Sequence, residues 1–421
     1  METRYNAKNP NTKKQTVHEL ILITISGQDK PYVTSTVTEI LSKNNANILD
    51  IGQAVIHDTL SLGMLVEIPE EFSVVAVVED IQSHMERLGF QTRFQPISET
   101  SYGEWVAHQG KQRHIVTLLA RQITAEQIAA LTCVVAEHGL NIDNISRLSG
   151  RVALSRDSDV KSKACVEFSA RGTAPDVVKL RAELAKIAST LDVDIAFQED
   201  NMYRRTRRLV CFDMDSTLIE AEVIDELAKA AGVGAQVAEI TEAAMAGALD
   251  FDQSFRKRVG LLKGLDESVL AGIAENLPIT EGAAHLIATL KKLGYKTAIL
   301  SGGFYYFGHY LQEKLGIDYV FANELEIIDG KVSGEVVGTI VNGDRKAELL
   351  KELATQENIR LEQVVAVGDG ANDLPMLGIA GLGIAFRAKP LVKAEAKQAI
   401  STLGLDAILY LMGFRDREIK H

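Results

Sequence analysis

The sequence predicts an α/β chain, with a parallel sheet covered by helices on both faces and preceded by two small α+β units of βαββαβ, ferredoxin-like order. Strand and helix periods occur twice in that order before residue 200, and after Leu209 short apolar, β-branched runs alternate with helical patterns. A helical stretch of about 222–290, too long for one crossover, interrupts the second half. With 421 residues, 46% of them hydrophobic, the chain has apolar material for two or three cores rather than one.

The first seventeen residues, METRYNAKNPNTKKQTV, are polar and lack the apolar centre of a signal peptide, which predicts a loose tail over 1–17. From residue 18 the pattern reads strand (HELILITIS), helix (about 31–44), strand (NILDIGQAVI), strand (LSLGMLVEI), helix (about 73–88) and strand (FQTRFQP), a first unit over 18–98. The order recurs over 112–199 in HIVTLLA, a helix at 124–139, NIDNISRLS, SKACVEFSA, a helix at 175–191 and VDIAFQE; NILDIGQ is echoed in NIDNISR. The basic cluster RRTRR at 204–208 reads as a solvated linker. Beyond it, LVCFD (209–213), YKTAIL (295–300), YVFAN (319–323), VVAVG (364–368) and LGIAF (382–386) are the strands expected of a parallel sheet in a domain over 207–421, with 222–290 as its helical cap. Asp329-Gly330 predicts the turn of a small hairpin flap.

A net charge of −12 argues against general affinity for nucleic acid or an anionic membrane and leaves small-molecule chemistry. Cys133, Cys165 and Cys211 are odd in number and widely spaced, which predicts neither a disulfide framework nor a zinc cage and fits a reducing cytoplasm. No run approaches the length of a membrane span.

The chemistry is expected where strands end. Asp213 and Asp215, two apart after LVCFD, face one way, and two carboxylates that close raise one another's proton affinity unless a cation intervenes. At the end of VVAVG, Asp369 and Asp373 flank Gly370 and Asn372. The carboxyl ends of adjacent parallel strands form a crevice, which would bring Asp369 beside Asp213 in an oxygen-rich pocket suited to Mg²⁺. Asp373, followed by Pro375, also reads as a helix N-cap. Ser301, Gly302 and Gly303 close the second strand ahead of a helical pattern, where exposed amides can hold an anion. Lys346 stands in the first turn of a helix against the macrodipole, with Asp344 as the expected cap; aimed into the crevice, its charge would neutralise a transferring phosphoryl group.

DMDST, SGG, an isolated lysine and GDGANDLPML, in that order, resemble the four motifs of the haloacid dehalogenase (HAD)-like phosphohydrolases over about 207–412. Within that family DMDSTLIEAEVIDELA and MAGALDFDQSFRKRV follow the pattern of members acting on phosphoserine. The resemblance implies a Rossmann-like core with a C1-type helical cap and Mg²⁺-dependent hydrolysis of O-phospho-L-serine to L-serine and phosphate, the last step of serine synthesis. It makes Asp213 the nucleophile and Asp215 the general acid and base. Mg²⁺ would rest on Asp213, the Asp215 main-chain carbonyl and Asp369, with Asp373 behind them. Ser301, Gly302, Lys346 and Asn372 would take the phosphoryl oxygens, Glu222 the substrate's amino group and Arg258 its carboxylate, with Met245 and Phe251 closing the cap. A related phosphatase or phosphotransferase on another small phosphomonoester, or an amino-acid sensor, stays open as the alternative.

The two N-terminal units resemble tandem ACT domains, which implies an amino-acid effector and a homodimer paired through sheet edges or helices. ISGQDKPYV keeps Gly27 and Asp29 of the first loop, but Tyr32 stands where glycine is usual, and LLARQITAEQ in the second copy lacks both the glycine and the aspartate.

Overall fold

The computed structural model describes residues 19–108, 110–151, 162–245 and 248–419, so the tail expected over 1–17 lies outside the described residues. The chain divides into two compact units, Met1–Gly110 and Lys111–His421.

In the first unit, β1 (Glu19–Gln28), α1 (Val33–Lys43), β2 (Asn47–Ile56), β3 (Thr59–Ile68), α2 (Val74–Arg87) and β4 (Gln91–Ile97) build an antiparallel sheet of order β2-β3-β1-β4. Period-2 alternation puts Ile21, Ile23 and Ile25 of β1 on the face that packs against Val37 and Leu41 of α1 and Ile81 and Met85 of α2. The Ser73 hydroxyl accepts the Ala76 amide and starts α2. A further helix, α3 (Glu99–His108), is not predicted by the hydrophobic pattern: none of its residues is buried, so it carries no apolar stripe to read.

The second unit opens with the same order: β5 (Arg113–Ala120), α4 (Ala125–Glu137), β6 (Asn141–Arg147), β7 (Ala164–Arg171), α5 (Val177–Thr190) and β8 (Asp194–Glu199), with sheet order β6-β7-β5-β8. Thr124 and Gln127 form a reciprocal capping box on α4. A seven-stranded sheet follows, made of β9 (Leu209–Phe212), β10 (Lys296–Phe304), β11 (Tyr319–Ile328), β12 (Lys331–Val337), β13 (Val364–Gly368), β14 (Leu382–Phe386) and β15 (Gln398–Ile400), in the order β12-β11-β10-β9-β13-β14-β15. All neighbours are parallel except β12, which returns from β11 through Asp329 and Gly330, both at positive φ. The three-residue β15 is too short to read from the sequence.

Side chains alternate across β9. Val210 and Phe212 face a core shared with α6 (Val223–Ala230), α8 (Phe251–Gly260), α10 (Ala283–Lys292) and α11 (Tyr305–Leu315), whereas Leu209 and Cys211 face α12 (Gly343–Gln356) and α13 (Leu374–Ile379). The insertion also contains α7 (Gly234–Met245) and α9 (Ser268–Glu275), and at its base Ile219 and Ile279 bridge antiparallel.

The second βαββαβ sheet is fastened to this core. The Asp194 carboxylate accepts the amides of Ser401 and Thr402 at 2.8 Å each and the Thr402 hydroxyl at 2.7 Å. The Gln398 side chain exchanges two hydrogen bonds with the Phe197 backbone, and Arg121 makes a bidentate pair with Glu281. The RRTRR cluster departs from the solvated linker expected of it. Arg204 and Arg207 are 2% and 4% exposed, Arg204 pairs with Glu167, and Arg207 packs beneath β8 through a hydrogen bond to Gln198. A run of like charges is exposed only where no second layer covers it, and here the sheet of β5–β8 does.

Candidate active site

The crevice lies at the carboxyl ends of β9, β10 and β13. β9 is buried throughout, and the Asp213 amide donates to the Val367 carbonyl of β13 at 2.8 Å, which fixes the first acid at the sheet edge. Residues 214–218 then form one wide turn in which Ser216 takes φ 54, a left-handed conformation unusual for serine. That turn returns Asp215 toward the crevice, where its Oδ1 accepts the Val223 amide at the start of α6 at 3.2 Å.

Lys346 holds the floor. Fully buried in the first turn of α12, its Nζ lies 2.9 Å from Asp213 Oδ1 and 2.7 Å from Asp373 Oδ1. The cap of α12 is Asn342, which accepts the Arg345 amide at 3.0 Å, and not Asp344, which is exposed one residue inside the helix. The earlier start puts Lys346 two positions further into the helix, on the buried face. Asp373 stands at the cap position of α13 without capping it; its carboxylate instead accepts the Gly370 amide at 3.0 Å and the lysine. A buried ammonium competes for that carboxylate more strongly than a helix amide does.

The acids differ in environment. Burial, reinforced by Glu222 and Asp213, holds the Asp215 carboxyl well above the usual carboxylate range. Burial with Asp213 and Asp373 pushes Asp369 up to about 8, and burial with Asp213 pushes Asp373 up to about 7. For Lys346, burial works against the charged form, but Asp213 and Asp373 outweigh it and raise the ammonium above its ordinary value. One oxygen from each of Asp213, Asp369 and Asp373 lies within 4.8 Å of the others. Hard oxygen donors this close, two of them reluctant to ionise together, fit a small divalent cation.

Asp213, Asp215, Glu222, Phe251, Arg258, Gly302, Asp369 and Asn372 line a cavity of about 1070 Å³ between cap and sheet. Ser301, Lys346 and Asp373 lie behind that wall, all fully buried. Ser301, Gly302 and Gly303 belong to the extended end of β10 rather than to a helix start, since α11 begins only at Tyr305. The Ser301 hydroxyl accepts the Gly303 amide at 2.9 Å. A Cβ on Gly303 would come within 2.6 Å of Asp215 Oδ2, and one on Gly302 within 2.9 Å of the Phe251 ring, so both glycines admit neighbours that a side chain would displace. Arg258 presents a buried Nε with no hydrogen-bond partner among the described residues. The Glu222 carboxylate accepts the Ser216 hydroxyl at 2.7 Å. The Met245 side chain lies outside the described residues.

Four contributors escape a reading of the sequence. Thr217 donates to Asp369 at 3.2 Å, Asn323 ties the Gly302 carbonyl to the Val341 amide, Asn342 caps α12, and Ser254 lines the cavity with a buried hydroxyl that has no partner among the described residues. Only Asn342 carries a local signal, an asparagine immediately before a helical period. The others act across elements far apart in the chain.

The parallel sheet with its helical insertion and the acids at its edge define a haloacid dehalogenase-like hydrolase, and that family matches residues 207–381. ACT domain families match 19–95 and 112–198. The chain is 40% identical over 400 residues to the phosphoserine phosphatase of Streptomyces coelicolor, covering 95% of this chain and 93% of that protein. With a phosphoserine phosphatase of Mycobacterium tuberculosis it shares 39% over 402 residues, 95% and 94% of the two chains. The crystal structure of a probable phosphoserine phosphatase from Vibrio cholerae, in unliganded form, matches with a TM-score of 0.57 at 37% identity, over 71% of this chain and 86% of that one. The chain belongs to the phosphoserine phosphatase family.

Proposed function

We propose that the chain hydrolyses O-phospho-L-serine to L-serine and phosphate through an aspartyl-phosphate on Asp213. The contrast between two carboxyls on one turn carries this reading: Asp213 has an ammonium partner at 2.9 Å, whereas burial keeps Asp215 in favour of its proton. An Asp213 oxygen attacks phosphorus as the bond to the serine oxygen breaks, and Asp215 gives its proton to the departing oxygen. Asp215, now ionised, takes a proton from water as that water attacks phosphorus, releasing phosphate and restoring both acids. Lys346, Ser301, the Gly302 amide and Asn372 are assigned to the phosphoryl oxygens, Glu222 to the substrate ammonium and Arg258, whose Nε has no partner among the described residues, to its carboxylate. Phe251 and Met245 are assigned to closing the cap.

Mg²⁺ is the proposed ion, held by Asp213, the Asp215 carbonyl and Asp369 with Asp373 behind; when bound it would supply positive charge to the phosphoryl oxygens. The proposed domain limits are 18–98, 112–199 and 207–421, with the cap at about 222–290. A homodimer paired through the ACT-like units, an amino-acid effector there, and a cytoplasmic location belong to the same proposal. Among the described residues no helix is long and apolar enough to cross a membrane.

Phosphate release across a panel of phosphoamino acids and other phosphomonoesters tests the reading. Asp213→Asn should abolish turnover while leaving the fold intact, chelation should abolish it reversibly, and Arg258→Ala should lose activity selectively on phosphoserine. Near-normal turnover by Asp213→Asn would sink the assignment of the nucleophile, and an equal loss on all substrates in Arg258→Ala would sink that of the substrate.

A further inference from the structure

A second cavity, of about 190 Å³, lies within the unit of residues 111–421, between the sheet of β5–β8 and the far edge of the large sheet. Its walls include Arg181 from α5, Arg207 at the entry to β9 and Lys397 at the entry to β15. Arg207 is 4% exposed, and among the described residues its guanidinium donates only to the Arg204 carbonyl at 3.1 Å and the Gln198 side-chain oxygen at 3.2 Å, leaving Nε without a partner. Arg181 donates to two backbone carbonyls, those of Lys397 at 3.0 Å and Phe197 at 3.3 Å. Neither arginine has a carboxylate within ion-pair distance among the described residues, although Arg204, three residues from Arg207, has Glu167.

A buried cation without a counter-charge is expensive unless something supplies one. Burial, together with Arg204, lowers Arg207 to about 10; Arg181 is only partly buried and lies 5.6 Å over the Phe197 ring, and burial lowers it in the same direction, so Arg207 is the cation most in need of a counter-charge and Arg181 stands beside it. The acids on the wall do not fill the gap. Glu199 and Glu362 are both exposed, and Glu199 takes its hydrogen bond from Gln112. At roughly 30 Å³ per water-sized group, the cavity has room for about six heavy atoms, the size of a phosphate or a small carboxylate.

We propose that this junction is a second, regulatory site that takes a small oxyanion between Arg181, Arg207 and Lys397. The catalytic cleft is 1070 Å³ and shares none of these side chains. One stretch of chain serves both walls. Lys389, Leu391 and Val392, at the start of α14 (Pro390–Glu395), line the catalytic cleft, and Lys397 and Gln398 line the junction. An anion drawing Arg181 inward pulls on the Lys397 carbonyl it holds, and so on the strand that begins there. Occupancy therefore reaches the cleft through about ten residues rather than through the core.

Crystals of the full chain soaked in sodium tungstate, and separately in sodium acetate, test the site. Tungstate should give an anomalous peak within hydrogen-bonding reach of Arg181, besides any peak in the catalytic cleft. Density in the acetate soak at the same place assigns the site to carboxylates as well, and its absence there assigns it to tetrahedral oxyanions. In solution, Arg181→Gln should weaken tungstate binding at the junction about tenfold or more, as for loss of a charged hydrogen bond. The exposed Lys397→Gln should weaken it in the same direction, and both variants should keep basal phosphate release. The response of kcat to tungstate, which binding competitive with substrate leaves unmoved, should vanish in both variants. A junction empty in both soaks overturns the site. A filled junction with the same kinetic response in wild type and Arg181→Gln overturns its regulatory role. A tungstate peak in the cleft alone leaves the catalytic reading intact while removing this one.

Discussion

Gly303→Ala is the substitution whose effect follows most directly from the geometry. Gly303 does not have a positive φ, so alanine meets no backbone obstacle there. The obstacle is the space its Cβ needs, because the added methyl would stand 2.6 Å from Asp215 Oδ2 and 2.7 Å from Met214 Cε, where ordinary contact begins near 3.4 Å. Met214 can swing its terminal methyl aside, but Asp215 is tethered through Oδ1 to the Val223 amide and has to retreat by about 0.8 Å. Overpacking of this kind costs about 1–3 kcal/mol in stability, and a displacement near 1 Å at a proton-transferring group costs about 10²-fold in rate. Steady-state phosphate release from phosphoserine should therefore fall by about two orders of magnitude in kcat with KM little changed. An aryl phosphate, whose leaving group departs without a proton, should lose far less in kcat/KM, which reports formation of the aspartyl-phosphate and not its hydrolysis, where Asp215 serves both substrates alike. An equal loss of kcat/KM on both substrates would refute the role given to Asp215 in leaving-group protonation, and undiminished turnover of phosphoserine would refute the steric reasoning itself.

Lys346→Met should strip Asp213 and Asp373 of their shared ammonium and destabilise the fold by about 3–5 kcal/mol, measured by urea denaturation of the metal-free protein; adding Asp373→Asn should recover part of that stability and none of the activity. Asp194→Ala orphans the Ser401 and Thr402 amides and should cost about 2–5 kcal/mol, read out as earlier proteolysis in the segment joining β8 to β9. His114 is 4% exposed and stacks on Phe197 at 5.0 Å; burial holds its imidazole below the ordinary 6.5, so the unfolded chain takes up the proton more readily. Its contribution to stability is complete above about pH 6.5 and is lost as the pH falls through the lower folded value, so His114→Phe should flatten the decline of the urea midpoint between about pH 7 and about pH 5. A decline as steep in the variant as in wild type would assign it to other groups.

Much of this protein is local. The period-2 run of β1, the β-branched strand at 364–368, the Asp329-Gly330 turn and the order of motifs are set by neighbours a few residues apart, and short-range sterics and hydrophobic patterning fix them before any tertiary contact forms. The sequence by itself therefore determined the three-sheet order and the acids at the strand ends. Only the tertiary structure decided that RRTRR is partly buried and that the Asp373 carboxylate turns from its own helix to Lys346. Each of these outcomes depends on which distant surface covers a charged group. Covering replaces water with a low-dielectric wall, where an ammonium, a carboxylate or a guanidinium must find its partner across the fold rather than along the chain.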